Sequence, residues 1–191
     1  IGKTDSIARK FEVIGCSVLV VENASWGNVF AGLRWYHMSR KYHNQATGFP
    51  VLNNSRWDNL CCELQPWRNF NGETVILLQR GIGPARTRMP ASFANQAKQK
   101  HAGARVRKHP GTKDAVSLES DLKDASHVVT WGSGAAIKAL MWGIPVTSYL
   151  KNWIGEQDNT NQGRLEMFRR LAWAQWTLEE INSGFAFRHL L

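Results

Sequence analysis

The sequence predicts an α/β protein built on a Rossmann-like parallel sheet, and three observations predict it. Short β-branched runs alternate with helical segments from residue 73 to 150, the turns between them are short, and the glycines and cations gather where strands end. The length of 191 residues suits one domain or two small lobes sharing a cleft. A hydrophobic content of 43% suffices for a core, and 20% charged residues is not a disordered composition.

Taken in order, the chain opens with Ile1 and runs into a helix-like segment at residues 5–11. Rossmann units usually open on a strand, so the start reads as a fragment, a processed chain or a reduced domain. Residues 17–22 (SVLVVE) suit a buried parallel strand, closed by the polar stretch 23–27. Residues 28–60 show no clean period, and Pro50, Asn53 and Asn54 mark loop. A turn at Asn69-Phe70-Asn71-Gly72 sets the boundary between lobes. Beyond it come strands at 73–79, 104–109, 127–131 and 144–150, with helices at 92–101, 117–125 and 135–142 between them. Gly143 suits the residue just past a helix. A helix follows over 163–176, and Thr177-Leu178-Glu179-Glu180 is a capping-box pattern opening a short helix that stops near Ser183-Gly184. The expected organisation is a small acceptor-side lobe (1–70), a nucleotide-binding lobe (71–150) and C-terminal helices packing back across the lobes (151–191).

Composition narrows the class. No apolar run approaches the roughly 18–20 residues of a membrane span, and no basic-then-apolar leader is present. Cys16, Cys61 and Cys62 lack the spacing of a zinc site and read as thiols of a reducing, cytoplasmic compartment. A net charge of +9, spread along the chain, favours a polyanionic partner, although ordinary basic proteins share it. Nine Trp fit a packed core or the stacking of sugars and bases, and the sequence does not divide those uses.

Ligands of parallel α/β sheets bind at the carboxyl ends of strands, and three segments stand there. Thr130-Trp131-Gly132-Ser133-Gly134 leads from a strand into a helix, where backbone N–H groups and a serine hydroxyl can receive phosphate. The same residues suit a plain tight turn with Ser133 as N-cap. Arg107-Lys108-His109-Pro110-Gly111 places two cations and an imidazole at a proline-fixed turn that can grip a diphosphate, or simply forms a basic surface loop. Gln79-Arg80-Gly81-Ile82-Gly83 puts a guanidinium beside permissive glycines, as a site or as a solvated turn. Convergence of the three on one crevice outweighs each alone. In the first lobe Glu22, His37, His43 and Asp58 are candidate bases, with Glu22 and His37 preferred. The stretch 34–45 (RWYHMSRKYHNQ), with Arg34, Trp35, Tyr36 and Asn44, is read as an acceptor-binding loop, or one folded over to bury its aromatics. Gly2-Lys3-Thr4 matches the end of a Walker loop, but no glycine-rich strand precedes it.

The segment Arg107–Pro110, followed by a leucine-containing helix and then HVVTWGSGAAIKALMWGIPV (127–146), resembles the nucleotide-sugar half of GT-B glycosyltransferases, above all capsule-polysaccharide-type and similar phage-encoded transferases. The likeness spans about 75 residues. It implies a compact GT-B-like two-lobed fold in which Arg107 and His109 hold the donor's phosphate or nucleotide. Thr130, Ser133 and Gly134 would receive the phosphate, and Pro145 would shape the wall behind. The chain departs from the pattern at Lys138, where relatives often carry an acidic residue.

The resulting expectation is a transferase moving a sugar from a nucleotide-sugar co-substrate to an acceptor hydroxyl, with no cofactor. No Asp-x-Asp is present to hold a divalent ion, so the reaction is read as metal-independent. The acceptor is a polyanion, either a hydroxymethylated pyrimidine in (phage) DNA or an anionic glycan, in the host cytoplasm for a phage-encoded protein. Two rivals stand beside it: a non-catalytic nucleic-acid-binding module, and a structural protein with a degenerate Rossmann fold.

Overall fold

The structure, a computed structural model, describes residues 2–40, 42, 44–83, 85–111 and 116–191. Two compact units divide the chain, one formed by Ile1–Glu63 with Asn152–Leu191, the other by Leu64–Lys151. The first contains α1 (Gly2–Val13), β1 (Val20–Asn23), β2 (Val29–Phe30), β3 (Leu33–Ser39) and α2 (Ser55–Asp58). The second holds β4 (Glu73–Leu77), α3 (Phe93–Lys100), β5 (Arg105–Arg107), α4 (Leu118–Asp121), β6 (Ala125–Thr130), α5 (Ala135–Met141) and β7 (Val146–Ser148). The chain then re-enters the first unit with α6 (Asn161–Ala172), β8 (Gln175–Thr177), α7 (Leu178–Asn182) and α8 (Phe185–Leu190). None of the described helices is long and apolar enough to cross a membrane.

The first unit is organised around β3, which pairs antiparallel with β1, β2 and β8. This corrects two expectations. The 17–22 run is not a parallel strand: β1 is antiparallel, and exposed positions Val21 and Asn23 alternate with half-covered Val20 and Glu22. The 34–45 stretch is not a loop throughout, because Arg34 to Ser39 belong to β3. Its alternation is hard to read because the buried positions are Trp35, His37 and Ser39 rather than aliphatics, and Met38 between them is buried too. Ala31 (φ 47°) and Gly32 (φ 74°) make the left-handed two-residue turn that a right-twisted hairpin needs.

Tryptophan forms much of this core. Six of the nine are buried, and all six belong to the first unit: Trp26, Trp35, Trp57, Trp153, Trp173 and Trp176. Trp26 meets Trp35 edge-on at 5.1 Å between centroids, and Trp57 stacks on Phe168 at 4.6 Å. Offset and edge-on pairs of this kind add roughly 0.5–1.5 kcal/mol each beyond area burial. Trp176 lies on β8 rather than on the preceding helix, which ends at Ala172. Arg56 fixes the return segment. It donates to Ala172 O, Gln175 O and both Glu180 oxygens, with its guanidinium 4.2 Å from the Trp176 ring centroid. The capping box at Thr177 and Glu180 is present, and Gly184 (φ 77°) turns the chain directly into α8.

In the second unit all four strands run parallel in the order β5-β4-β6-β7. The chain steps from β4 outward to β5 and then crosses back to β6, so the strand order reverses between β4 and β6. Open α/β sheets leave a crevice at that reversal. Phe93 and Ala97 of α3 pack against Ile76 and Val129. Helix α5 ends at Met141, and Gly143, just past its cap, has a left-handed φ of 70° and a backbone that lies against the Pro66 carbonyl.

Candidate functional site

Hydrogen bonds tie together the loops that leave β4, β5 and β6. Gln79, just beyond β4, donates through Nε2 to Gly132 O at 3.2 Å, linking the β4 and β6 loops. Its own N–H donates to Met89 Sδ at 3.4 Å, which folds the β4–α3 loop back. Gln79 Oε1 is sealed from solvent with no hydrogen-bond partner among the described residues. Arg80 is exposed, and its Nε donates to His109 Nδ1 at 3.3 Å, linking the β4 and β5 loops. Gly81 needs its left-handed φ of 67° for the turn.

His109 is a neutral imidazole with a defined tautomer. Nδ1 accepts from Arg80 Nε and from Gly111 N–H at 3.1 Å, so the ring proton belongs on Nε2. Burial pushes its pKa below the ordinary histidine value, and the charges of Arg80 and Arg107 push the same way. At neutral pH His109 therefore offers one Nε2–H donor.

The β6–α5 turn is built by its own hydroxyls. Thr130 is buried; its Oγ1 donates to Leu77 O at 3.3 Å and accepts from Ser133 N–H at 3.0 Å. Ser133 Oγ accepts from Ala135 N–H at 3.2 Å. Gly132 is buried, whereas a Cβ placed on Gly134 would meet nothing within 4 Å. Space therefore lies beside the Gly134 backbone. Pro110 is exposed, next to His109.

Two of the expected contacts take other roles. Arg107 is not a cation open to ligand: it forms an ion pair through Nε with Asp121, reaches Val116 O at 3.3 Å, and its side chain is 12% exposed. Asp121 also receives Arg105 at 2.7 Å, and Arg105 in turn binds Glu73 at 2.6 Å. Thr130 has its hydroxyl engaged on both sides, which supports the turn. The sequence reading passed over Asp121 as the counterion of two arginines. It also passed over Ser148 at the end of β7, whose hydroxyl donates to Trp131 O at 2.8 Å. The strand-end rule that singled out Ser133 applies equally to Ser148.

The first-unit candidates separate. His37 is fully buried, with Nδ1 accepting from the Gln175 amide at 2.9 Å and Nε2 against Ser39 Oγ at 3.1 Å. Such an imidazole is a bridge between β3 and β8, not a base open to an acceptor. Glu22 stands opposite it on β1 and is half-buried. Asp58 pairs with Arg169 at 2.9 Å, and His43 lies outside the described residues. Arg34 is exposed and Tyr36 half-buried, while Trp35 is buried with its indole N–H on Phe30 O. Asn44 is buried and its backbone carbonyl accepts from Ile154 N–H. Trp35 and Asn44 thus face the core, and the four residues do not make one acceptor-binding surface. Lys138 is half-buried on α5.

No protein-family model matches the chain, and no curated protein matches it either.

Proposed function

We propose that the Leu64–Lys151 unit is the nucleotide-sugar site of a metal-independent, GT-B-like glycosyltransferase. One observation carries the reading: three loops rich in phosphate-binding chemistry are hydrogen-bonded together at the carboxyl ends of β5, β4 and β6, beside the reversal of strand order. In this reading Arg80 neutralises charge that grows on the leaving diphosphate, and His109 donates through Nε2–H. The Gly132-Ser133-Gly134 turn lets a phosphate approach the backbone, whereas Pro145, which precedes β7 and accepts from Val128 N–H, stands at the amino end of the strands and does not wall the site. Glu22, half-buried on β1, is the carboxylate put forward as base. The acceptor is a polyanion, either a hydroxymethylated base in DNA or an anionic glycan.

A second reading, a non-catalytic nucleic-acid-binding or structural protein with a degenerate Rossmann fold, is favoured by the engagement of Arg107 and Thr130 inside the fold. Thermal stabilisation against nucleoside mono- and diphosphates and nucleotide sugars, with and without magnesium, separates the two. A ligand at a hundred times its dissociation constant adds about 2.7 kcal/mol. The transferase reading expects a magnesium-independent shift with one nucleotide class, lost in Arg80→Ala and His109→Ala. A folded protein that responds to none of them refutes it.

A further inference from the structure

The formal charge divides very unevenly. Leu64–Lys151 carries thirteen Lys and Arg against five Asp and Glu, net +8, while the rest of the chain carries eleven against ten, net +1. Within the second unit, residues 74–113 contain nine Lys and Arg and no carboxylate at all. Arg105 and Arg107 are neutralised by Glu73 and Asp121. Arg80, Arg86, Arg88, Lys98, Lys100 and Lys108 are exposed, and none forms an ion pair among the described residues.

These six stand on three consecutive pieces: the β4–α3 loop, α3, and the turn after β5. Helix α3 buries Phe93 and Ala97 and leaves Asn95, Lys98, Gln99 and Lys100 exposed. That outer face carries no carboxylate and no large apolar group, so nothing on it repels an anion or favours a lipid interior.

We propose that the β4–α3 loop, the outer face of α3 and the turn after β5 form a docking surface for the phosphate backbone of a nucleic acid. Charge complementarity selects a polyanion, and guanidinium forks at Arg86 and Arg88 match phosphate oxygens bidentately. Asn95 and Gln99 on the same helix can reach base edges once the backbone is docked, and the lack of a large apolar group there disfavours a lipid surface; a sulfated glycan is left as an outcome of the test. The surface shares the loops after β4 and β5, with Arg80, with the nucleotide-sugar site, but Arg86, Arg88, Lys98 and Lys100 lie outside that site, so the proposal stands whether or not a sugar is transferred. If both hold, the acceptor is a nucleic acid.

The test is fluorescence anisotropy with labelled 20-nucleotide single-stranded and duplex DNA and RNA, without nucleotide sugar, over a salt series. Wild type is compared with Arg86→Gln/Lys98→Gln combined with Arg88→Gln/Lys100→Gln. A control neutralises four other exposed cations, Arg9, Lys10, Lys123 and Lys151. Each lost phosphate contact flattens the slope of log K against log salt by about 0.7–0.9, so the surface variant should lose about 3 to 4 units of slope. The control should keep the wild-type slope to within about 1 unit. The proposal is overturned if wild type binds none of these nucleic acids, if the control loses as much slope as the surface variant, or if heparin or anionic vesicles bind more tightly than nucleic acid. Nucleotide-induced thermal shifts measured on the same surface variant keep the two questions apart: they are expected unchanged, while Arg80→Ala removes them.

Discussion

Replacing Gly143 by alanine tests how the α5–β7 corner is held. The residue sits at φ 70°, where an alanine costs about 1–2 kcal/mol. An added Cβ would lie 1.9 Å from Pro66 O, 2.7 Å from Pro66 C and 3.0 Å from Gln65 O, so the backbone at 65–66 must retreat by more than an ångström. That backbone is pinned: Gln65 N–H donates to Met141 O at 3.0 Å and Arg68 N–H to Gly143 O at 2.8 Å. Straining or losing those two bonds costs roughly 1 kcal/mol each. Stiffening of the unfolded chain by alanine returns no more than about 1 kcal/mol. The net expectation is a loss of about 2–3 kcal/mol, and for a chain of 191 residues each kcal/mol moves the melting midpoint by roughly 2–4 °C. Thermal melting followed by tryptophan emission is a direct assay, since Trp67 and Trp142 flank the corner in sequence. A Gly143→Ala protein melting within about 3 °C of wild type refutes both the strain and the collision.

Gly134→Ala is the opposite case: with φ −59° and nothing within 4 Å of the new Cβ, stability should change by less than about 1 kcal/mol, while nucleotide-induced stabilisation disappears. A retained nucleotide shift places the ligand elsewhere. Glu180→Gln removes the carboxylate from Arg56, whose side chain is 12% exposed, and should cost about 2 kcal/mol in urea unfolding at neutral pH. Burial pushes the Glu180 carboxyl up, but hydrogen bonds from Arg56 and Thr177 together hold it below the ordinary carboxylate value. Its contribution is therefore present above about pH 4.3 and lost as pH falls through the folded pKa, so wild type and variant should converge in acid. His109, with its pKa lowered, takes up its proton later than the unfolded chain does; stability from it is present above about pH 6.5 and declines below. Its imidazole resonances should titrate below the ordinary value in wild type and move upward in Arg80→Gln; a wild-type midpoint at or above that value contradicts the Arg80–His109 contact.

The parallel sheet was legible because its strands carry their own signal. Val75 to Leu77 and Val128 to Val129 are buried aliphatic runs bounded by glycine turns, and their helices lie between them in sequence. Strands β3 and β8 were not legible, for a physical reason. Their inward positions are Trp35, His37 and Gln175, whose polar atoms are satisfied in part by residues distant in sequence, as His37 is by Gln175 and Gln175 by Ser25, and Trp35 pairs with Thr177 far along the chain. The strand-end loops were found by the rule for open sheets, but the roles of their cations were not. Arg107 and Arg80 look alike in sequence, and only the fold brings Asp121 against one of them. Gly184 was read as a stop because a glycine with positive φ ends most helices; here the same φ of 77° starts another.

The two units use their cations differently, and that difference has a measurable consequence. In the first, Arg56 and Arg169 are matched by Glu180 and Asp58 and contribute to cohesion. In the second, Arg86 and Arg88, two residues apart in the β4–α3 loop, form no ion pair among the described residues, while Lys98 and Lys100 close the last turn of α3 and Lys100 lies 5.2 Å from the Tyr149 ring centroid. Like charge crowded on a folded surface destabilises it, and salt screens the effect over about 10 Å at 0.1 M. A surface with no ligand to meet gains nothing from such crowding. Neutralising Arg86 and Arg88 with glutamine should therefore raise the melting temperature of the free protein at low salt, and the gain should shrink as salt is added. An unchanged or lowered melting temperature would mean that these side chains hold the unit together through contacts of their own, and their crowding would then point to no partner.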